Sequence, residues 1–248
     1  MEVERRFALL LAAPDSDYVR KMYGGYFHVF VKAFGEEGET WDLFRVVEGE
    51  FPDSEDLAKY DGFVVSGSPA DAHGDDLWVL ELCCLLQTLD AMKKKVLGVC
   101  FGHQLLCRAL GGRVGRSCTG WDVGIRKLRM AEGFLPPHKY LDELRELPPS
   151  AYIIECHQDE VLELPAGAEV IAFSEKTAVE MFSLGDHILG IQGHPEYTKG
   201  ILYNLADRLA GGGAIDSSFA EEAKASVEAT EPDRKFWETV CRAFLKGR

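Results

Sequence analysis

The segment Val96-Leu97-Gly98-Val99-Cys100-Phe101-Gly102-His103-Gln104-Leu105-Leu106 constrains the chain more than any other. Val96 to Val99 reads as a short buried strand, and the apolar run after Gly102 fits a helix. A strand that passes into a helix over so few residues has to turn sharply, and Gly98 and Gly102 give the room. Cys100 then stands at the bend above the end of a sheet, the elbow arrangement of hydrolase nucleophiles. It faces the positive end of the following helix, which favours thiolate over thiol. An isolated cysteine is more often a buried structural side chain. The paired glycines and a second motif downstream argue against that reading.

The rest of the chain supplies the sheet that such an elbow needs. Phe7 to Leu11, Trp41 to Val47, Phe63 to Val65 and Val96 to Val99 read as strands. Helical patterns over Asp17 to Phe34 and Leu77 to Met92 alternate with them. Continuous apolar strands between helices predict an α/β fold with a mainly parallel central sheet, covered by helices on both faces. The second half alternates more: Val123 to Met130, Ala151 to Glu163, Glu169 to Phe173, Val179 to Phe182 and Ile188 to Ile191 predict a mixed or antiparallel extension. A helix over Lys199 to Leu209 follows. Gly211-Gly212-Gly213 then breaks the chain, and Ser218 to Glu228 and Pro232 to Leu245 read as two further helices, with Asp216 or Ser217 as N-cap. The expected organisation is a catalytic domain over residues 1–210 and a helical tail over 211–248 packed on the same domain.

The second motif is Gly193-His194-Pro195-Glu196. A residue before proline is steered into extended geometry, where residues two apart share a face. Glu196 would then hold the His194 imidazole in one tautomer while the other ring nitrogen meets Cys100. Nucleophile, base and orienting carboxylate make a candidate triad.

Several function classes are disfavoured. The net charge of −14 opposes a nucleic-acid or anionic-membrane partner. No apolar run reaches the roughly 18 residues of a membrane span, and Met1 to Arg6 lacks the apolar core of a signal peptide. The seven cysteines form no disulfide pattern and no Cys-x-x-Cys pair, so a reducing cytosol is expected. Cys156, His157 and Asp159 have ligand chemistry but no second cluster to complete a site, so neither metal nor other cofactor is expected. His28, His73, His138 and His187 carry no partner pattern, and His103 is expected to point away from the nucleophile.

The Cys100 and His194 segments resemble the class I glutamine amidotransferase-like family, whose elbow reads Gly-x-Cys-x-Gly-His-Gln and whose base motif reads His-Pro-Glu. Val64-Val65-Ser66-Gly67-Ser68-Pro69 is similar to the family's oxyanion loop, with Ser68 where a second glycine is common. Cys156-His157-Gln158-Asp159 is similar to a segment bordering its substrate pocket. Within the superfamily, three stretches resemble the plant gamma-glutamyl peptidases: Lys21 to Phe27, Phe34 to Gly38, and Phe244 to Arg248. The resemblance implies a cytosolic hydrolase that cleaves the gamma-glutamyl bond of glutathione conjugates through a gamma-glutamyl thioester on Cys100. Glutamate and a cysteinylglycine conjugate would be the products. It implies backbone N–H groups at Gly67, Ser68 and Phe101 as the oxyanion hole. Gln104, His157, Gln158 and Asp159 would face the glutamyl part, and Tyr23 and Tyr26 the leaving group. The competing expectations are a glutaminase supplying ammonia to a separate synthetase, and a non-catalytic member that binds a ligand through the same fold. No Gly-x-x-x-x-Gly-Lys-Ser/Thr phosphate loop marks a synthetase within the chain. Oligomeric state is not legible.

Overall fold

A computed structural model describes residues 5–131 and 148–247. Its centre is a nine-stranded sheet in the order β2-β1-β3-β4-β11-β10-β9-β6-β7. The strands of the first half are β1 (Arg6–Leu10), β2 (Thr40–Phe44), β3 (Gly62–Val65) and β4 (Lys95–Val99). They run parallel to one another and to β11 (Ile188–Ile191). Alternate residues of these strands serve different cores. Phe7, Leu9, Val64 and Leu97 enter one buried cluster, and Ala8, Leu10, Phe63, Val65 and Val96 enter the other. Burial on both faces is why their sequences are continuously apolar.

Beyond β11 the sheet turns antiparallel through β10 (Met181–Leu184), β9 (Ala168–Phe173), β6 (Asp122–Met130) and β7 (Ser150–His157). The predicted fold class is thus observed: a mainly parallel half with a mixed extension. The predicted strand over Ala151 to Glu163 is in fact two. The chain leaves β7 at Gln158, and β8 (Asp159–Glu163) pairs instead with β5 (Arg113–Arg116) in a separate two-stranded sheet. β5, with its Arg-Val-Gly-Arg sequence, has no apolar run to announce it.

The predicted helix over Asp17 to Phe34 is also two, α1 (Asp17–Tyr23) and α2 (Tyr26–Phe34). Gly24 closes α1 in the left-handed region at φ 80°, and Gly25 follows at φ 115°. A Cβ on Gly25 would lie 2.8 Å from the Asp15 carboxylate, which accepts from the Tyr26 N–H at 2.6 Å and thereby starts α2. α3 (Leu77–Ala91) and α4 (Phe101–Ala109) cover one face of the sheet. α1, α2, α5 (Lys199–Gly211) and α7 (Arg234–Lys246) cover the other.

After Gly213 the chain packs back on the sheet. Asp216 caps α6 (Ser217–Ala229) through the Phe219 N–H, and the Ser226 hydroxyl accepts from the Ile125 N–H of β6 at 3.0 Å. α7 buries Trp237, Val240, Cys241 and Phe244, and Arg242 donates to the Ala33 carbonyl of α2 at 2.8 Å. Among the described residues no helix is long and apolar enough to cross a membrane, and all seven cysteines are free. His138 lies outside the described residues.

Candidate active site

β4 sits between β3 and β11, with Val65 opposite Gly98 and Ile191 opposite Val99. Three parallel neighbours therefore end level, and the loops that follow them emerge side by side at their carboxyl ends. That is where open α/β sheets place their sites. The first loop carries Ser66-Gly67-Ser68, the second is Cys100, and the third carries Gln192 to Tyr197.

Cys100 has φ 53° and ψ −104°, a conformation that L residues rarely hold, and caps α4. Its N–H donates to the Ile191 carbonyl at 2.8 Å, which ties the bend to β11. The flanking glycines are required by close approach. A Cβ on Gly98 would lie 2.6 Å from Leu106 Cδ1, and one on Gly102 would lie 2.8 Å from Val65 Cβ. Helix α4 can thus fold down onto the strand that precedes it and leave Cys100 standing at the sheet end.

The electrostatics differ from the sequence expectation. The Phe101 N–H does donate towards the Cys100 sulfur and favours the thiolate, but burial dominates and holds the thiol well above its ordinary range. Cys156, Glu155 and Glu196 push it further in the same direction. The resting nucleophile is therefore a thiol, and its activation needs a base.

His194 is that candidate base, and its Nδ1–H donates to Glu196 Oε1 at 2.9 Å with both side chains buried. The contact does not come from strand alternation, as predicted. The Tyr197 N–H donates to the His194 carbonyl at 3.4 Å, so residues 194–197 form a turn that folds Glu196 back. Proline at its second position fits, since its fixed φ suits that place in a turn. Tyr197 then stacks on the imidazole, centroids 3.8 Å apart and planes within 3°. With Nδ1 engaged by Glu196, Nε2 remains for the cavity. A Cβ on Gly67 would lie 3.0 Å from His194 Cε1 and 3.6 Å from Cys100 Cβ, so Gly67 marks the spot where base and nucleophile meet.

The Gly67-Ser68 loop is held from below. The Ser66 hydroxyl accepts from the Ala12 N–H at 2.9 Å and donates to the Gly67 carbonyl at 3.0 Å. In a trans peptide the N–H points opposite the carbonyl, so this contact turns the Ser68 N–H away from Ser66. The Ser68 hydroxyl accepts from Ala70 N–H at 3.1 Å. Serine at this position therefore keeps its backbone donor. From α4, Arg108 donates to the Ala72 and Gly74 carbonyls and fixes the far end of the loop.

One cavity brings most of the sequence candidates together: Gly67, Ser68, Cys100, Gln104, His157, Gln158, Asp159, His194, Glu196 and Tyr26. Its empty space, open mouth included, is about 1020 Å³. Phe101 reaches the site only through its backbone. Tyr23 is not among the lining residues; its hydroxyl lies 2.7 Å from that of Thr198. Gln104 spends its amide on the scaffold, donating to the Asp159 carbonyl at 2.8 Å and to Gln192 Oε1 at 3.0 Å. His157 bonds the Asp159 carbonyl through Nδ1 at 2.9 Å, and burial pulls its pKa down to about 4. His103 is buried against Phe182 and held neutral by burial at about 3, away from the cavity as expected.

Other participants carry no sequence signal. Arg116 on β5 bonds Asp159 at 3.1 Å and Asp71 at 3.2 Å and also donates to Gln158. Trp121 and Arg208 line the cavity as well. Three histidines expected to stand alone do have partners: His187 lies 2.6 Å from Asp90, His73 lies 3.4 Å from Asp159, and His28 Nδ1 lies 3.1 Å from the Gly24 carbonyl.

Two groups have the ligand types and spacing to hold a metal ion: Asp71, His73 and Asp159, and the buried set Glu155, His157 and Glu180. In the first, the Arg116 guanidinium already neutralises both carboxylates. In the second, burial first and then the Asp122 charge raise Glu180 to about 8, and burial with Glu180 and Asp122 raises Glu155 as well, so the pair holds protons at neutral pH.

Comparison with known proteins identifies the family and the fold. The profile of the family described as glutamine amidotransferase class-I matches residues 19–202. Gamma-glutamyl peptidase 5 of Arabidopsis thaliana is 57% identical, over 99% of this chain and 97% of that protein. Gamma-glutamyl peptidase 3 of the same plant is 54% identical over 100% and 99%. Among solved structures, a glutamine amido transferase from Methylobacillus flagellatus superposes with a TM-score of 0.73 at 21% identity, covering 99% of this chain and 96% of that one. A glutamine amidotransferase from Thermotoga maritima gives the same TM-score at 19% identity, covering 99% and 98%. These two likenesses concern the fold.

Proposed function

The chain belongs to the glutamine amidotransferase class-I family, and from that premise we propose that it is a cysteine hydrolase of gamma-glutamyl bonds acting on glutathione conjugates in the cytosol. The observation that carries this reading is the convergence of three loops at the ends of β3, β4 and β11. They bring Gly67, Cys100 and His194 to one point.

In the proposed reaction His194 Nε2 takes the Cys100 proton as the sulfur attacks the gamma-carbonyl carbon. Because burial keeps the resting group a thiol, proton transfer accompanies attack. The S–C bond forms, and the carbonyl electrons move onto oxygen. The N–H groups of Phe101 and Ser68 stabilise that oxyanion; removing one such donor typically costs about 10²–10³ in rate. The intermediate collapses, the C–N bond breaks, and the imidazolium protonates the departing amine. A gamma-glutamyl thioester remains on Cys100. Water, deprotonated by His194, attacks the thioester carbonyl, glutamate leaves, and the sulfur regains its proton. Glu196 stabilises the imidazolium at both stages and fixes its tautomer.

Purified enzyme offered L-glutamine and an S-substituted glutathione side by side tests the reading. The expected products are glutamate and the cysteinylglycine conjugate with little ammonia, and none from Cys100→Ala. Ammonia alone, from glutamine, would favour a glutaminase that feeds a separate synthetase.

A further inference from the structure

The cavity contains a cation that the proposed reaction does not use. Arg208 lies on α5 and lines the cavity together with Leu205 and Leu209. Residues three and four apart share a helix face, so these three form one wall. Trp121 adds an indole to it. The Arg208 side chain is exposed, and among the described residues its guanidinium makes no hydrogen bond or ion pair. Its charge nevertheless reaches into the site, where it opposes the upward effect of burial on the Tyr26 hydroxyl and the Cys156 thiol. The other cavity arginine, Arg116, is already occupied by Asp159, Asp71 and Gln158. In a chain with 41 acidic and 27 basic residues, a guanidinium left without a carboxylate at a cavity wall is available to an anionic ligand.

We propose that Arg208 is a specificity-determining residue that pairs with the C-terminal carboxylate of the leaving peptide, while Trp121, Leu205 and Leu209 receive the apolar substituent on its sulfur. This rests on the gamma-glutamyl peptidase reading above. Glutamine carries only an NH₂ group beyond the gamma-carbonyl and offers Arg208 nothing. In a gamma-glutamyl tripeptide the terminal carboxylate lies two residues past the scissile nitrogen, about 7 Å of extended chain. Such a ligand extends from Cys100 towards the α5 wall of the same cavity. Arginine suits the task because its planar fork meets a carboxylate with two parallel hydrogen bonds.

The test compares wild type, Arg208→Ala and Arg208→Lys on S-benzylglutathione, on the same compound with its glycine carboxylate converted to an amide, and on a gamma-glutamyl anilide. A charged hydrogen bond at this strength corresponds to a preference of about tenfold or more in kcat/KM. Wild type should prefer the acid over the amide by that factor, mainly through KM. Arg208→Ala should lose the preference, Arg208→Lys should keep part of it, and all three should cleave the anilide equally. Retention of the acid preference in Arg208→Ala would overturn the proposal. So would an equal loss on the anilide, which would place Arg208 in the fold and not in recognition. Failure of wild type to cleave any gamma-glutamyl peptide would instead overturn the peptidase reading on which the proposal stands.

Discussion

Replacing Glu180 by glutamine should change how stability depends on pH. Glu180 is buried between the end of β9 and the start of β10, its N–H bonded to the Ala172 carbonyl and its carbonyl to the Gln192 N–H. Burial, with a smaller contribution from the Asp122 charge, raises its carboxyl from 4.5 to about 8 against the opposing effects of Ser174, Glu155 and Arg126. Glu155 is raised as well, by burial first and then by Glu180 and Asp122. Between pH 4.5 and about 8 the unfolded chain has lost this proton while the folded chain keeps it. The unfolded state then binds fewer protons, so stability falls as pH rises through that window. Each pH unit costs a little over 1 kcal/mol, and ionising Glu180 in place costs a few kcal/mol by pH 8. Glutamine has the shape of the protonated acid at every pH. Denaturant melts of wild type and Glu180→Gln at pH 5, 6.5 and 8 should therefore nearly coincide at pH 5 and diverge above it. At pH 8 the variant should be the more stable by a few kcal/mol. A constant difference across the three pH values, or a wild type that gains stability between pH 5 and 8, would refute the reasoning.

Two further predictions concern the chemistry itself. Glu196→Gln removes the charge that stabilises the imidazolium and permits the wrong tautomer, and should lower kcat by up to about 10⁴ with the fold intact. A loss below tenfold in steady-state kinetics would mean that Glu196 does not orient the base. Gly67→Ala puts a methyl group 3.0 Å from His194 Cε1. The imidazole must give by a few tenths of an ångström, a fraction of the roughly 1 Å displacement that costs about 10²-fold. Activity should fall by about threefold to tenfold while the thermal midpoint stays within a few degrees, and an unchanged kcat would show that base and nucleophile do not meet there.

What the sequence announced, and what it hid, follows from how locally each feature is encoded. Cys100 was legible because the sterics that hold it are its own neighbours, Gly98 and Gly102, which only glycine can satisfy against Leu106 and Val65. His194 and Glu196 are legible because Pro195 fixes the chain between them, although a residue before proline predicts extended chain where the structure has a turn. The continuous apolar strands revealed the parallel half of the sheet. The split of the helix over 17–34 depends on Asp15 reaching across to Tyr26, a tertiary contact outside the helical pattern. β8 leaves the line of β7 because its partner is β5, whose sequence has no strand signature. Arg116, Trp121 and Arg208 come from separate elements and meet only in the folded cavity. The thiol state of Cys100 is hidden from the sequence for a related reason. The helix N-terminus is visible in sequence, whereas the burial that outweighs it is not.

The central claim is that Cys100 attacks a gamma-carbonyl and carries the glutamyl group through the reaction. Acid quench of wild-type enzyme in the first turnovers with S-benzylglutathione, followed by mass spectrometry of the peptide containing Cys100, tests it directly. The account predicts a gamma-glutamyl adduct on Cys100, absent when hydroxylamine treatment precedes analysis and absent from Cys100→Ala. Full turnover by Cys100→Ala with no adduct at this position would contradict it.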